Sequence, residues 1–414
     1  ADDKLYGQLG QMKAIQAARP GLEIAVGGCL AQKDRQLIVE RAPHVRAVFG
    51  THNVGRVGEL LARSRESGQP VVEVLEAAPP EEGTDFPSAM AVRQDLAHAA
   101  WVTIQVGCDN SCAFCIVPSV RGREVSRPFG ELVSEVEVLA RGGTSEVTLL
   151  GQNVNSYGRD ITRRRPLFAE LLRALGAIDG ISRIRFTSPH PKDLRPETIA
   201  AMAETPAVCE QLHLPLQAGS DRVLTAMRRG YTAERYLARL AAARGAIDDL
   251  AVTTDIIVGF PGETEDDFRR TLEVVAEAAY DSAYTFIFSP RPGTRAAAMQ
   301  DRYVPPGEVA ERFERLRVVV ERSALARHRA RVGRLEEVLV EGPSKRDAAM
   351  LTGRTRQGKL VHFPPPSTEQ AGPAPGSFVA IEVEGAGPHH LLGTLRAVAR
   401  GPRAARRRIP LRVG

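Results

Sequence analysis

Cysteine is scarce here, with five residues in a chain of 414. A disulfide-stapled secreted scaffold needs a far denser supply, so apolar cores must hold this fold, and clustered cysteines point to a metal or to catalysis. No apolar run approaches the ~18 residues of a membrane-spanning helix, which excludes a helical spanning protein. No basic-then-apolar leader opens the chain, so nothing signals export, and a cytoplasmic protein is expected. Methionine is missing from position 1. The chain opens on Ala1, directly in a helix-like stretch, and is expected to be a truncated piece. What is present is ordinary globular usage, 43% hydrophobic and 25% charged. At ~150 residues per domain, the length suggests two or three domains.

The net charge of +5 is unevenly spread. Residues 331–414 carry 14 Lys/Arg and 7 Asp/Glu, hence +7, and the remainder sums to −2. Six arginines fall in the last fifteen residues, Arg406, Arg407 and Arg408 among them. Such a skew fits a polyanion partner, most simply nucleic acid, or a solvated tail.

Periodicity divides the chain into three segments and a basic tail at 401–414. Residues 1–85 read as a helix over 2–18, a strand at 22–26, a helix to about Arg41, a strand at 45–49 and a helix over 53–64. That alternation makes a parallel sheet, here without its opening strand. Residues 76–90 hold Ala-Ala-Pro-Pro-Glu-Glu-Gly and no periodicity, a linker. The segment 93–330 repeats strand and helix. Strands are expected at 101–106, 147–150, 182–187, 209–214, 251–257 and 283–288, with a clear helix over 129–140. Six repeats fit a partial barrel, whose active site lies at the C-terminal ends of its strands. The segment 333–400 has short alternating runs at 335–341, 359–363 and 377–384 and a loop at 364–376. It reads as a small β-barrel of a kind that often binds oligonucleotides. The fold class is thus α/β, with a small β-barrel at the end.

The strongest chemical feature is Cys108-Asp-Asn-Ser-Cys112-Ala-Phe-Cys115, on a loop after the first barrel strand. Three thiolates so close can ligate one metal centre. Structural zinc needs four ligands, and the nearest histidine, His98, precedes the strand at its other end. A cubane iron–sulfur cluster held by three ligands would keep one iron open for a small molecule. Three unliganded core thiols are the third reading. Cys29, in Gly27-Gly-Cys-Leu-Ala-Gln32, opens a helix where the dipole favours an anionic thiolate, though a lone cysteine there is more often packing. Cys209 reads as core. Gly151 and Gly259 let backbone approach a ligand closely. Gln152, Asn153, Ser188, His190, His213 and Gln217 offer neutral hydrogen-bonding groups at strand ends. His213 reads equally well as a satisfied structural histidine, and Ser220 as the cap of a helix over 221–229.

The Cys-x3-Cys-x2-Cys spacing, with Phe114 just before the last cysteine, resembles the radical S-adenosylmethionine superfamily. That resemblance implies a partial (β/α)6 barrel, in agreement with the strand count. It implies that Cys108, Cys112 and Cys115 hold a 4Fe–4S cluster whose open iron binds S-adenosylmethionine, and that reduction yields a 5′-deoxyadenosyl radical. Phe114, Gly151, Gln152, Asn153, Ser188, His213 and Gln217 are the candidate cofactor-binding residues. Further motifs resemble the methylthiotransferases over essentially the whole chain. They are Ile116 to Pro128, Leu150-Gly-Gln-Asn-Val-Asn-Ser-Tyr-Gly158, His213 to Asp221, Arg228-Arg-Gly-Tyr-Thr232, Thr253 to Glu263 and Ser289-Pro-Arg-Pro-Gly-Thr294. The C-terminal module resembles a TRAM domain. Glu341-Gly-Pro-Ser-Lys-Arg346 and Leu351-Thr-Gly-Arg-Thr-Arg356 resemble the branch acting on isopentenylated tRNA adenosine.

By that resemblance, the activity is methylthiolation of C2 of an adenosine at position 37, in a tRNA anticodon stem-loop. The whole enzyme would carry two 4Fe–4S clusters, one fully ligated in this chain. Cys29 would be one ligand of the second, auxiliary cluster, with two more expected upstream of Ala1. Lys345, Arg346, Arg354, Arg356 and Lys359 would grip the RNA backbone. An electron donor such as flavodoxin or ferredoxin, a monomer and no membrane complete the expectation. A ribosomal-protein substrate or another tRNA adenosine is the alternative among enzymes. A zinc-bearing RNA-binding adaptor is the alternative outside them.

Overall fold

The computed structural model describes residues 2–75, 97–366 and 372–403, with side chains from Lys4 onward. The linker expected at 76–90, part of the loop at 364–376 and most of the basic tail lie outside the described residues. The chain divides into two compact units. The first takes residues 1–93 with 106–111 and 115–125, and the second takes 94–105, 112–114 and 126–414.

In the first unit, α1 (Asp2–Ala18), β1 (Ile24–Gly27), α2 (Cys29–Asp34), α3 (Gln36–Arg41), β2 (Val45–Phe49), α4 (Val57–Ser67) and β3 (Val71–Glu73) follow one another. The strands are parallel in the order β1-β2-β3, as crossover helices require. One face of the sheet buries Ile24, Val26, Val45 and Val48 with Leu9 and Ile38 from the helices. Ala47 and Phe49 pack with Leu60 of α4 in a second cluster. From further along the chain, α5 (Val117–Arg121) packs against α2. The Thr51 hydroxyl holds it by donating to the Val120 carbonyl at 2.8 Å.

The second unit opens on β4 (Ala99–Thr103). Two two-residue strands, β5 (Gln105–Val106) and β6 (Val125–Ser126), pair with each other. Then follow α6 (Phe129–Arg141), β7 (Glu146–Leu150), α7 (Arg159–Thr162), α8 (Phe168–Gly176), β8 (Arg183–Phe186), α9 (Pro196–Glu204) and β9 (Gln211–His213). The series ends with α10 (Asp221–Ala226), α11 (Ala233–Ala246), β10 (Ala251–Val258), α12 (Glu265–Ala278), β11 (Ser282–Ile287) and α13 (Pro306–Arg329). Strands β4, β7 and β8 form one parallel sheet, and β9, β10 and β11 another. An isolated parallel bridge between Ile184 and Val208 joins them. Its hydrogen bonds run from Ile184 N to Ala207 O at 2.7 Å and from Cys209 N to Ile184 O at 3.0 Å. Six parallel strands therefore succeed one another in chain order, which is the partial barrel expected.

Alternation assigns the two faces of these strands. Val102, Val147, Leu149, Ile184, Leu212, Val252, Ile256 and Val258 are buried in one core with Leu132 and Val136 of α6, Leu172 of α8, Phe268 of α12 and Leu316 of α13. The opposite face is partly open. It carries Thr253, Asp255 and Ile257 on β10, paired in register with Ser282, Tyr284 and Phe286 on β11.

At the end of this unit, β12 (Leu335–Pro343), β13 (Leu351–Thr355), β14 (Leu360–Phe363), β15 (Phe378–Ala386) and β16 (Leu391–Arg400) close a barrel in the order β12-β13-β14-β16-β15. Every other residue turns inward, so Val338, Val340, Val361, Phe363, Val379, Ile381, Val383 and Leu391 form its core. Closure leaves no sheet edge open to other chains. The barrel is fastened to the six strands by arginines. Arg183, fully buried, donates to the carbonyl oxygens of Arg354 at 2.8 Å and Glu337 at 3.0 Å. Arg185 donates to those of Arg356 and Thr355, both at 2.8 Å.

Candidate active site

The first barrel strand ends at Thr103, earlier than expected, and the cysteine loop leaves from β5 instead. Gly107 begins the loop at φ +83°, and a Cβ there would lie 1.9 Å from the Arg123 carbonyl oxygen, so only glycine passes this crossing. The adjacent Cys108 N–H donates to Gly122 O at 3.2 Å. Cys108 and Cys115 fall in the first unit and Cys112 in the second. Around Cys112 the chain is held by Ala113, whose N–H donates to Met227 O and whose carbonyl accepts from Ala296 N, both at 2.9 Å. Phe114 packs against the main core. All three cysteines are half-buried, and no disulfide joins them. Among the described residues, no three Cys, His, Asp or Glu side chains are gathered as a metal-holding group.

Cys112 has a neighbour that sequence reasoning did not single out. The buried Arg229 guanidinium donates from Nη1 to Cys112 Sγ at 3.3 Å and from Nε to the Tyr231 hydroxyl at 3.1 Å. The Arg228-Arg-Gly-Tyr-Thr232 motif contained the signal but not the contact. Beside Tyr231, with ring centroids 5.8 Å apart, lies the buried His190. Burial, followed by the charges of Arg229, Lys192 and Arg239, pushes its pKa down to about 2, so the ring is neutral. Nδ1 accepts from Lys192 N at 3.2 Å, which leaves the ring proton on Nε2. Among the described residues, that buried Nε2–H has no partner.

The residues after β7 mix structural and open groups. Asn153 is buried. Its Nδ2 donates to Asp193 at 2.8 Å, while its Oδ1 is a buried acceptor without a partner among the described residues. Gln152 is half-buried. Ser188 is exposed and sits at φ +59°, a conformation rare outside glycine and asparagine. Within the second unit, a buried donor at His190, a buried acceptor at Asn153 and a guanidinium against the Cys112 sulfur together fit a polar, anionic ligand.

Several expected roles change. Gly151 and Gly259 make room for neighbouring side chains. A Cβ at Gly151 would lie 2.8 Å from Gln105 Cγ, and one at Gly259, where φ is +74°, would lie 2.6 Å from Val309 Cγ2. Ser220 does stand at the N-cap of α10 but makes no cap bond. Its hydroxyl donates to Asp267 at 2.6 Å. That helix stops at Ala226, ahead of Arg228 at φ +58°. Gln217 works through its backbone, accepting from Ile257 N at 2.9 Å and donating to Asp255 O at 2.8 Å. Cys209 is buried, as expected.

His213 lies on the open face. Its Nδ1 is 2.9 Å from the Thr253 hydroxyl, its Nε2 3.5 Å from Asp255, and its ring meets the edge of Tyr284 with centroids 6.1 Å apart. Tyr284 is 61% exposed and Phe286 50%, two positions apart on β11. Period 2 puts both on one face, beyond what the run Ser282–Ile287 announces by itself.

The basic residues expected to hold RNA separate into two groups. Lys345 and Arg346 are exposed in the turn before β13. Arg354 pairs with Glu341 at 2.8 Å, and Arg356 with Glu210 at 2.7 Å. Lys359 is buried, its ammonium 2.5 Å from Asp281. Arg356 and Lys359 therefore fasten the small barrel to the six strands, and burial removes Lys359 from any phosphate.

The profile of the Radical SAM superfamily matches residues 102–275, and that of the TRAM domain matches 329–395. The superfamily implies a 4Fe–4S cluster and S-adenosylmethionine. The tRNA-2-methylthio-N(6)-dimethylallyladenosine synthase 1 of Mycobacterium marinum is 51% identical, over 99% of this chain and 78% of its own length. The synthases of Nocardia farcinica and Streptomyces coelicolor are each 52% identical over 95% of this chain, covering 78% and 76% of their own lengths. No helix among the described residues is long and apolar enough to cross a membrane. With half of its residues shared along almost its full length, the chain belongs to the tRNA-2-methylthio-N6-dimethylallyladenosine synthase family of radical S-adenosylmethionine transferases.

Proposed function

We propose that this protein adds a methylthio group to C2 of N6-dimethylallyladenosine at position 37 of tRNA, beside the anticodon. The observation that carries the reading is the 51–52% identity to three synthases of that name over 95–99% of the chain. In this reading, residues 1–85 form an auxiliary-cluster domain, 93–330 the radical domain, 333–400 the RNA module and 401–414 a basic tail. Cys108, Cys112 and Cys115 hold the first cluster, and Cys29 contributes to a second. When bound, the first cluster supplies the electron that cleaves S-adenosylmethionine. His190 Nε2–H and Asn153 Oδ1 are the buried donor and acceptor left to orient that cofactor, supported by Gln152, Ser188 and Phe114. Lys345 and Arg346 contact phosphates. A flavodoxin or ferredoxin delivers electrons to a cytoplasmic monomer.

An unpaired loop base must be splayed out and stacked to be reached. Tyr284 and Phe286 offer the exposed rings for it, with His213 behind Tyr284. Base–aromatic stacking contributes about 1–3 kcal/mol per base. Replacing Tyr284 and Phe286 together by alanine is therefore expected to lower kcat/KM for tRNA by about tenfold to a hundredfold. The tRNA-independent release of 5′-deoxyadenosine should stay within about twofold, and a parallel loss of both would overturn the assignment. The activity itself is tested by mass analysis of tRNA nucleosides from a deletion strain. Methylthio-adenosine should vanish and return on complementation. An unchanged level sinks the reading and leaves a protein substrate, or, if the chain holds zinc in place of iron and sulfide, an adaptor.

A further inference from the structure

Arg229 is a buried cation, 6% exposed, and among the described residues no carboxylate pairs with it. Removing a guanidinium from water is costly unless an opposite charge and good hydrogen bonds offset it. The Tyr231 hydroxyl accepts from Nε at 3.1 Å, and the ring lies with its centroid 5.4 Å from the guanidinium carbon. Tyr231 is itself anchored, since its hydroxyl donates toward Pro215 O at 3.0 Å and Leu216 O at 2.9 Å. Arg229 is thus fixed from behind, and the group it presents forward, Nη1, points at Cys112 Sγ at 3.3 Å. The arrangement is complete only when that sulfur is anionic, as a metal-bound thiolate is.

We propose that Arg229 is a positioning residue that sets the reduction potential of the cluster ligated by Cys112, by donating a charged hydrogen bond to the cysteine sulfur. The proposal rests on the radical S-adenosylmethionine reading above. Reduction adds one electron to the cluster and makes it more negative, so a fixed positive charge at a ligand sulfur favours the reduced form. The residue changes how readily the low-potential donor fills the cluster.

The test uses the reconstituted protein with Cys29→Ala, so that the spectrum comes from one cluster. Dithionite poised through redox mediators supplies the electron, S-adenosylmethionine is left out, and paramagnetic resonance reads the reduced fraction. At a fixed potential, Arg229→Met should lower the ratio of reduced to oxidised cluster by about tenfold, about 59 mV for a one-electron couple. Arg229→Lys, which keeps the charge, should stay within about twofold of wild type. Arg229→Gln is read in the same way if the methionine variant holds less iron. A neutral variant with full iron and a wild-type ratio overturns the proposal. Loss of iron from all three variants overturns it as well, by making the residue a packing element. Loss from the two neutral variants with retention in the lysine variant supports the role of charge. A wild-type chain that takes up zinc in place of iron sinks the underlying reading before Arg229 is altered.

Discussion

Cys112→Ala is expected to abolish reductive cleavage of S-adenosylmethionine, lowering the release of 5′-deoxyadenosine by about a thousandfold or more, the equivalent of about 4 kcal/mol in barrier. In the proposed cluster three thiols would leave one iron open, and a two-thiol site would have no spare donor. Among the described residues, no three Cys, His, Asp or Glu side chains stand gathered as an alternative centre. The substitution also leaves the Arg229 guanidinium without its sulfur. Cys209→Ala is the matched control. Cys209 is buried in the main unit, 3.0 Å through its N–H from the Ile184 carbonyl, and its loss should soften packing without touching iron content. Iron and acid-labile sulfide assays, with product measured by chromatography, check both. Full iron and undiminished product in the Cys112 variant would falsify the ligand assignment.

The largest stability effect should come from Asp281→Ala. The Lys359–Asp281 pair is nearly dry, with side chains 4% and 8% exposed, and the second carboxylate oxygen of Asp281 accepts from Val252 N at 2.8 Å. Removing one partner of such a pair leaves an uncompensated buried charge, at a cost of about 3–5 kcal/mol. Burial already lowers the pKa of Lys359, so part of the loss is recovered by shedding the proton, and the defect should ease as pH rises. Urea unfolding followed by circular dichroism measures it. Lys359→Met combined with Asp281→Asn should regain most of the stability, because no charge is then stranded and an acceptor for Val252 N remains. The same variants separate packing from RNA contact. Each phosphate contact adds about 0.9 to the slope of log affinity against log salt. Lys345→Ala with Arg346→Ala should flatten that slope for tRNA, whereas Lys359→Met at a pH where the fold persists should not. A flatter slope for Lys359→Met would return this lysine to the RNA surface.

How much could be read in advance follows from what periodicity encodes. Alternation and helical spacing located the six parallel strands to within a few residues, because each buries one face and the apolar positions mark it. The closed barrel was legible at 335–341, 359–363 and 377–384, but β13 and β16 were not. Strand β16 pairs with β15 through register shifts at three points, and its last five residues are exposed, so alternation is blurred. Neighbours were the illegible part. Gly151 looks the same in sequence whether it faces a ligand or Gln105, and Ser220 the same whether it caps its helix or bonds Asp267, 47 residues away. Lys359 sits in a basic run, yet its partner Asp281 is 78 residues distant. The cysteine spacing, within eight consecutive residues, was legible as a motif, but the Arg229 neighbour of Cys112 was not.

The arginines beneath the small barrel leave a lopsided record in any set of variants. Arg183 and Arg185 grip carbonyl oxygens of Glu337, Arg354, Thr355 and Arg356, and Arg356 in return grips those of Pro206 and Val208 at 2.9 Å. A carbonyl oxygen survives every substitution of its own side chain. Drift at Glu337, Arg354, Thr355, Pro206 and Val208 therefore leaves these bonds in place, whereas drift at the donors Arg183, Arg185 and Arg356 removes them. Mutational tolerance across this seam is set by which side holds the hydrogen.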